Sequence, residues 1–355
     1  MNSTQQSIFP GINNLTSSPG IQFYIWFLFL LMAGILSFIS LNLVKNAEII
    51  IAKTKLGGAF VGGVLISAIT SMPEFITAVS QAGFGNAETG ISDDLGSNAF
   101  AIFLIMITGL LLYRDLFLVK VKGFTRVIIL ISLVSSLFYG IILLIGQDAI
   151  IGVVGQYAIG VIPAIFLIIY LISTYLQYKY GGDDEVHETV LKEKFKNKNV
   201  RKTFFWFIIW AILLCAASLG VNFIINGMQI VYGIDSNSAG GLILAITTSL
   251  PEIISFGFFM KNKQPIAAFG TLIGSAIFNN SLIFWADLAF RQNSIVIGQR
   301  GSDTFAIAFL VAGLLALLSL IIFFPKFFSK KRYYFIIPAL GVISFVVGWS
   351  LIIAY

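Results

Sequence analysis

Apolar positions in this chain come in long unbroken blocks rather than in the alternation of a half-buried strand or the single stripe of a surface helix. That pattern predicts helices that are apolar all round. Ten blocks can be drawn, at 22–44, 58–81, 95–113, 126–146, 151–177, 203–227, 238–260, 265–290, 304–325 and 333–354. Each is close to the roughly 20 residues that a helix needs to cross a bilayer. The connections between them are short, so no part of the chain can hold a separate soluble domain, and any function must sit between helices.

Composition and charge sharpen this picture. The 355 residues are 58% hydrophobic and only 11% charged, with a mean hydropathy of +0.94, whereas charged residues make up about a quarter of a soluble globular domain. The net charge of +6 could suggest nucleic acid, but its placement gives a different reading. Of the 22 Lys and Arg, all but Arg291 and Arg300 fall in the odd-numbered connections, from Lys45 in the first to Arg332 in the ninth. Basic residues collect on the cytoplasmic side. Both termini are therefore expected outside and the basic fifth connection, with Lys192, Lys194, Lys196 and Lys198, inside. The first 20 residues hold no Lys or Arg, so the first block reads as a retained span rather than a cleaved leader. Compact size and the lack of a leader favour a bacterial plasma membrane. A single cysteine, Cys215, and a single histidine, His187, leave no room for a disulfide or a histidine-based metal or catalytic cluster.

The chain also repeats itself. GGVLISAITSMPEFITAVS, beginning at Gly62, aligns with GGLILAITTSLPEIISFGF, beginning at Gly240, at a constant offset of 178. The same offset pairs LGSNAFA at Leu95 with IGSAIFN at Ile273. Asn42 and Asn46 match Asn222 and Asn226 at an offset of 180. Each copy contains five blocks, an odd number, so the second must enter the membrane from the opposite side. The expected fold is an all-α polytopic membrane protein with ten transmembrane helices in two inverted five-helix repeats, the arrangement on which secondary transporters are built. The expected layout is an external tail at 1–21, a first repeat at 22–180, a cytoplasmic linker at 181–202 and a second repeat at 203–355.

Of the sixteen acidic residues, the drawn spans place three well inside: Glu74, Glu252 and Asp287. A charge in the bilayer interior costs about 2.5–3.5 kcal/mol even on the permissive insertion scale, which marks such residues as functional. Asp287, near a span end, is expected to reach water. Glu74 and Glu252 each follow a proline, in TSMPE and TSLPE. Proline breaks the helix ladder and releases backbone carbonyls, while Thr70, Ser71, Thr248 and Ser249 add hydroxyls at the same level. Ser97, Ser275 and Asn279 can turn further oxygens inward from the GS blocks. An oxygen-only set with carboxylates suits a hard cation such as Ca2+, Na+ or Mg2+, not zinc or copper. Gly58, Gly62, Gly63, Gly240 and Gly241 read as helix-packing positions.

These blocks, AITSMPEF with LGSNAFA and AITTSLPEI with IGSAIFN, resemble the paired repeats of the cation/Ca2+ antiporter superfamily, particularly the sodium/calcium exchangers. The resemblance implies a mid-membrane site between the second, third, seventh and eighth spans, across which the first and sixth slide. It implies Glu74 and Glu252 as Ca2+ ligands, with Thr70, Ser71, Ser97, Thr248, Ser249 and Ser275 at sodium or calcium sites and the carbonyls of Ser67 and Ala245 as further donors. Exchangers of this type usually carry Asn and Asp four residues after the two GS serines, where this chain has Ala101 and Asn279. Two carboxylates then remain instead of three, which puts a three-sodium stoichiometry in doubt.

The expected activity is secondary antiport of Ca2+ against Na+ or H+ by alternating access, since two facing carboxylates in a dry pocket must be neutralised by one ion type or the other. A cation channel with the same acidic pair and an antiporter of altered, monovalent selectivity are the alternatives. An enzyme is not expected, because no HExxH motif and no Ser with a His partner exist. Transported cations and the lipid bilayer are the expected partners, with no cofactor, no nucleic acid and no obligate protein partner.

Overall fold

The computed structural model describes residues 19–53, 61–112, 118, 125–154, 157–180, 195, 197–262, 265–290, 294–298 and 304–354. The N-terminal tail up to residue 18, Gly58 and most of the linker, including His187, Lys192, Lys194 and Lys196, lie outside these. Among the described residues, eight helices are long and apolar enough to span a membrane. They are α1 (Pro19–Lys53), α4 (Ala87–Leu111), α5 (Thr125–Ile145), α6 (Val161–Tyr180), α7 (Val200–Tyr232), α10 (Pro265–Ala289), α11 (Thr304–Phe323) and α12 (Ile336–Ala354). The other two spans are broken. A π-helical turn at Val61–Ile66 runs into α2 (Ser67–Thr70) and bends by 49° into α3 (Met72–Gly83); a second at Ala239–Leu244 runs into α8 (Ala245–Thr248) and bends by 43° into α9 (Leu250–Lys261). With each bent pair counted as one span, the fold is the ten-helix inverted repeat.

Proline and serine explain both breaks. Pro73 and Pro251 occupy the second position of their new helices, where the missing N–H would have no intrahelical partner anyway. The preceding Ser71 has left helical geometry (ψ 12°), and Ser249 sits at the edge of the helical region (ψ 0°); each accepts the first amide bond of the new helix, from Phe75 and Ile253.

The packing repeats with the sequence. Helices α4 and α10 form the buried centre, flanked by the broken spans. Each core helix meets the opposite repeat's π turn through glycine. A Cβ on Gly96 would overlap the carbonyl of Gly241, and one on Gly274 would overlap that of Gly63, which is one contact seen twice at the 178-residue offset. The two longest helices, α1 with 35 residues and α7 with 33, lie along each other outside this core, with α1 crossing α9 and α7 crossing α3. Such a pair touches the core chiefly through the half-helices that carry the glutamates.

Three sequence expectations need correction. The fifth span does not begin at residue 151. Ile150–Val154 and Tyr157–Gly160 form an antiparallel hairpin and the helix starts only at Val161, because β-branched IIGVV favours an extended strand. The third span begins at Ala87 rather than Leu95. It therefore carries Asp93 and Asp94, both fully buried, so the acids inside the helices are not limited to the three expected. Asp287 does not reach water: it is buried and accepts the backbone N–H groups of Gly160 (2.8 Å) and Ile295 (2.6 Å), tying the hairpin to the end of α10.

Candidate functional site

The sequences Ser71–Met–Pro–Glu74 and Ser249–Leu–Pro–Glu252 have the S-x-x-E form of a helix capping box, in which Ser and Glu satisfy amides of their own helix. Neither serine caps its own helix. The partners are exchanged between repeats instead. Ser71 donates to Glu252 Oε1 at 2.7 Å, and Ser249 donates to Glu74 Oε1 at 3.5 Å. The GS serines complete each half, Ser275 donating to Glu252 Oε1 at 2.5 Å and Ser97 to Glu74 Oε1 at 3.3 Å. Every one of these contacts has its mirror at the 178-residue offset.

Both carboxylates are buried and sit in the first turn of a half-helix, where the positive end of the helix dipole favours an anion. They lie close enough to act on one another electrostatically. The two halves differ in tightness. Glu252 is gripped by two short hydroxyl bonds, and Ser71 and Ser275 also meet each other at 2.5 Å. Glu74 is held loosely, and its Oε2 has no partner.

The loose half holds the acid that the sequence reading missed. Asp93 lies one helical turn before Ser97 on α4. Its Oδ1 accepts the Thr248 hydroxyl at 3.0 Å, and its Oδ2 has no partner. The carbonyls of Leu244 and Ala245 compete with Asp93 for the single Thr248 proton, and Thr248 approaches Ser97 at 3.5 Å. The Ala245 carbonyl in turn receives Ser97 at 3.4 Å. At the offset of 178, Asp93 corresponds to Thr271, whose hydroxyl is spent on Ala267 of its own helix. Asp93 was detectable, because a residue four before Ser97 shares its helix face. The polar run ETGISDD hid it by reading as a loop. Among the described residues no three His, Cys, Asp or Glu side chains are grouped to hold a metal ion, and Asp93 acts on Glu74 through space.

The remaining expected residues are placed less centrally. The Thr70 hydroxyl is bonded to the carbonyls of Ile66 and Ser67 on its own helix. The Ser67 carbonyl accepts Thr70 and the Ser71 amide. Asn279 makes no bond to either glutamate. Its amide donates to Asn98 Oδ1 at 3.1 Å, leaving its own Oδ1 buried and unpaired. Asn98, not singled out from sequence, bonds the Ala276 carbonyl and Asn280, joining the two core helices where the repeats meet.

This arrangement can hold cations through carboxylate, hydroxyl and carbonyl oxygen alone. Comparison with known proteins identifies the family. A model for the sodium/calcium exchanger protein family matches the chain twice, over residues 24–179 and 202–355. The chain belongs to this family. The antiporter is 23% identical over 279 residues to the "Putative antiporter CaxA" of Alkalimonas amylolytica, covering 78% of this chain and 82% of that protein. Its fold matches the sodium-calcium exchanger NCX_Mj. The structure soaked with 2.5 mM Na+ and 0.1 mM Ca2+ gives a TM-score of 0.60 at 19% identity, over 92% of this chain and 98% of that one. The structure soaked with 2.5 mM Na+ and 0.1 mM Sr2+ gives 0.61 at 19%, over 91% and 97%. The expected fold and family stand, and the antiporter reading is favoured over the channel.

Proposed function

We propose that the antiporter binds Ca2+ between Glu74 and Glu252 and exchanges it for Na+ or H+, with Ser71, Ser97, Thr248, Ser249, Ser275 and the Ala245 carbonyl as further oxygen donors. Thr70 and the Ser67 carbonyl join the ligand set once their present bonds loosen, and the unpaired Oδ1 of Asn279 is a further oxygen donor to it. The observation that carries the reading is the exchange of Ser–Glu partners between the repeats. Each half-helix offers its hydroxyl to the other repeat's carboxylate, so both halves build one centre that neither can complete alone.

Desolvated carboxylates must be neutralised. A single divalent ion balances Glu74 and Glu252, and so do two protons or two sodium ions. Asp93 restores a third carboxylate at the edge of this centre, on the first repeat, while Asn279 is neutral on the second. A third carboxylate at this level supports a cycle that carries more than two positive charges, and the Asp93→Asn variant tests it. Movement of the α1–α7 pair across α3 and α9 would open the centre to one side and then the other, and occupancy that cancels the charge is what lets it pass through the closed state.

Transported ions are cargo on this account and no cofactor takes part. We further propose the plasma membrane of a bacterium, with both termini outside, the tail at 1–21 external, and the repeats at 22–180 and 203–355 joined by a cytoplasmic linker at 181–202. Uptake of 45Ca2+ into proteoliposomes, with sodium and proton gradients imposed separately, tests the function. Uptake driven by at least one gradient is expected. Flux that ignores the ion on the opposite side would overturn it in favour of a channel.

A further inference from the structure

Asp94 is fully buried on α4, and neither of its carboxylate oxygens has a partner. An isolated ionised carboxylate in such surroundings is among the costliest groups a protein can bury. It lies one residue beyond Asp93 and so points about 100° away around the helix, off the face that carries Ser97 toward the glutamates.

The face that Asp94 does share is that of Asn98, one turn on. Asn98 donates to Asn280 Oδ1 at 3.0 Å, and Asn280 donates to Ser135 at 2.8 Å and Ser136 at 3.3 Å. This bridge of amides and hydroxyls links α4, α10 and α5. Asp94 lies one turn toward the N-terminus of α4 from the bridge, and Tyr139 one turn toward the C-terminus of α5. The two helices are successive spans and run antiparallel, so both groups sit on the same side of the bridge. Tyr139 is fully buried, and its hydroxyl too has no partner. The two are within electrostatic reach of each other.

Two orphaned oxygen groups thus lie on the same side of the bridge, within electrostatic reach of one another and not hydrogen-bonded. A proton on Asp94 would leave a buried O–H with nothing to receive it. A metal cation bridges oxygens that are themselves too far apart to bond, because it sits between them at about 2.3–2.6 Å from each. One carboxylate among neutral phenol and amide oxygens balances a single positive charge, whereas a divalent ion would leave a net charge in a dry interior.

We propose that Asp94, Tyr139 and the Asn98 carboxamide oxygen, which accepts the Asn279 amide and keeps a second lone pair for an ion, form a second, enclosed site for a dehydrated monovalent cation of the sodium class, distinct from the glutamate centre. Asp94 also lies within electrostatic reach of Glu74, so an ion here and a Ca2+ ion at the glutamates repel, and each weakens the other's binding.

The test is 22Na+ binding to the purified protein in nanodiscs, with N-methylglucamine as the replacement cation. It is run in a Glu74→Gln/Glu252→Gln background, so that failure of the transport reading leaves the result intact. The expected outcome is saturable 22Na+ binding that Asp94→Asn abolishes and that Tyr139→Phe weakens by about tenfold, since loss of one oxygen ligand is worth about 1–1.5 kcal/mol. Tyr139→Phe keeps the ring in place and so guards against a folding defect in Asp94→Asn. Binding that is unchanged in both variants, or no saturable 22Na+ binding at all, would overturn the proposal. So would a site that responds to pH and not to Na+, which would make Asp94 a proton holder only.

Discussion

Replacing Gly96 by Ala puts one methyl group at the point where the two repeats are closest. A Cβ there would stand 2.6 Å from the carbonyl carbon of Gly241 and 2.7 Å from its Cα, and its partner at Gly274 would stand 2.7 Å and 2.9 Å from the same atoms of Gly63. Carbon contacts are best at about 3.5–4.0 Å, so α4 must move away from the facing π turn by roughly 1 Å. The obstacle is backbone and cannot rotate aside. Overpacking of this kind costs about 1–3 kcal/mol, opposed by a helix-propensity gain of about 1 kcal/mol for Gly→Ala. The same shift carries Ser97, the next residue, whose 3.3 Å bond to Glu74 has little slack. A misplacement of about 1 Å in a positioned group can cost on the order of 10²-fold in rate. Gly96→Ala and Gly274→Ala should therefore melt below wild type in detergent and lose most 45Ca2+ exchange per folded molecule. Gly257→Ala is the control, because a Cβ there meets nothing within 4 Å, and it should match or exceed wild-type stability with full exchange. Equal melting and exchange in Gly96→Ala and Gly257→Ala would refute the claim that backbone contact at these glycines sets the site.

Three other expectations follow from the same geometry. Asp93→Asn should retain Ca2+ exchange but lower the Hill coefficient for the coupling ion, measured from the dependence of 45Ca2+ uptake on its concentration; an unchanged coefficient would remove Asp93 from the transport cycle. Asn279→Asp adds a carboxylate to the second repeat and should strengthen the sodium dependence of uptake. Asp287→Ala should leave two buried amides without acceptors, at about 1–3 kcal/mol each, lowering the melting temperature while exchange per folded molecule is preserved.

The central part of this architecture could be read from the chain because it is written twice. The 178-residue offset, the proline before each glutamate and the serine of each GS block all survive as contacts, and the glycines chosen as packing positions include Gly63 and Gly241, which meet α10 and α4. Charge distribution supported a layout of ten spans because each misplaced span would have exchanged the sides of every later loop. Asp93 and Asp94 escaped notice for a physical reason. A hydropathy boundary follows the average polarity of a segment, and Ala87–Asp94 is polar because it lines protein rather than lipid. The hairpin at Ile150–Gly160 was lost in the opposite way, since an apolar run fits a span or a strand equally well. The partner exchange at Ser71 and Ser249 lay beyond sequence altogether. S-x-x-E predicts a local cap, and only the facing repeat turns it into a shared centre.

The most direct measurement is tracer equilibrium exchange, 45Ca2+ against unlabelled Ca2+ across proteoliposomes with no sodium or proton gradient, for wild type, Glu74→Gln and Glu252→Gln. This isolates the divalent site from the identity of the coupling ion. The account predicts saturable exchange in wild type and its loss in both variants, each still eluting as a folded monodisperse species. Wild-type exchange rates in either variant would contradict it.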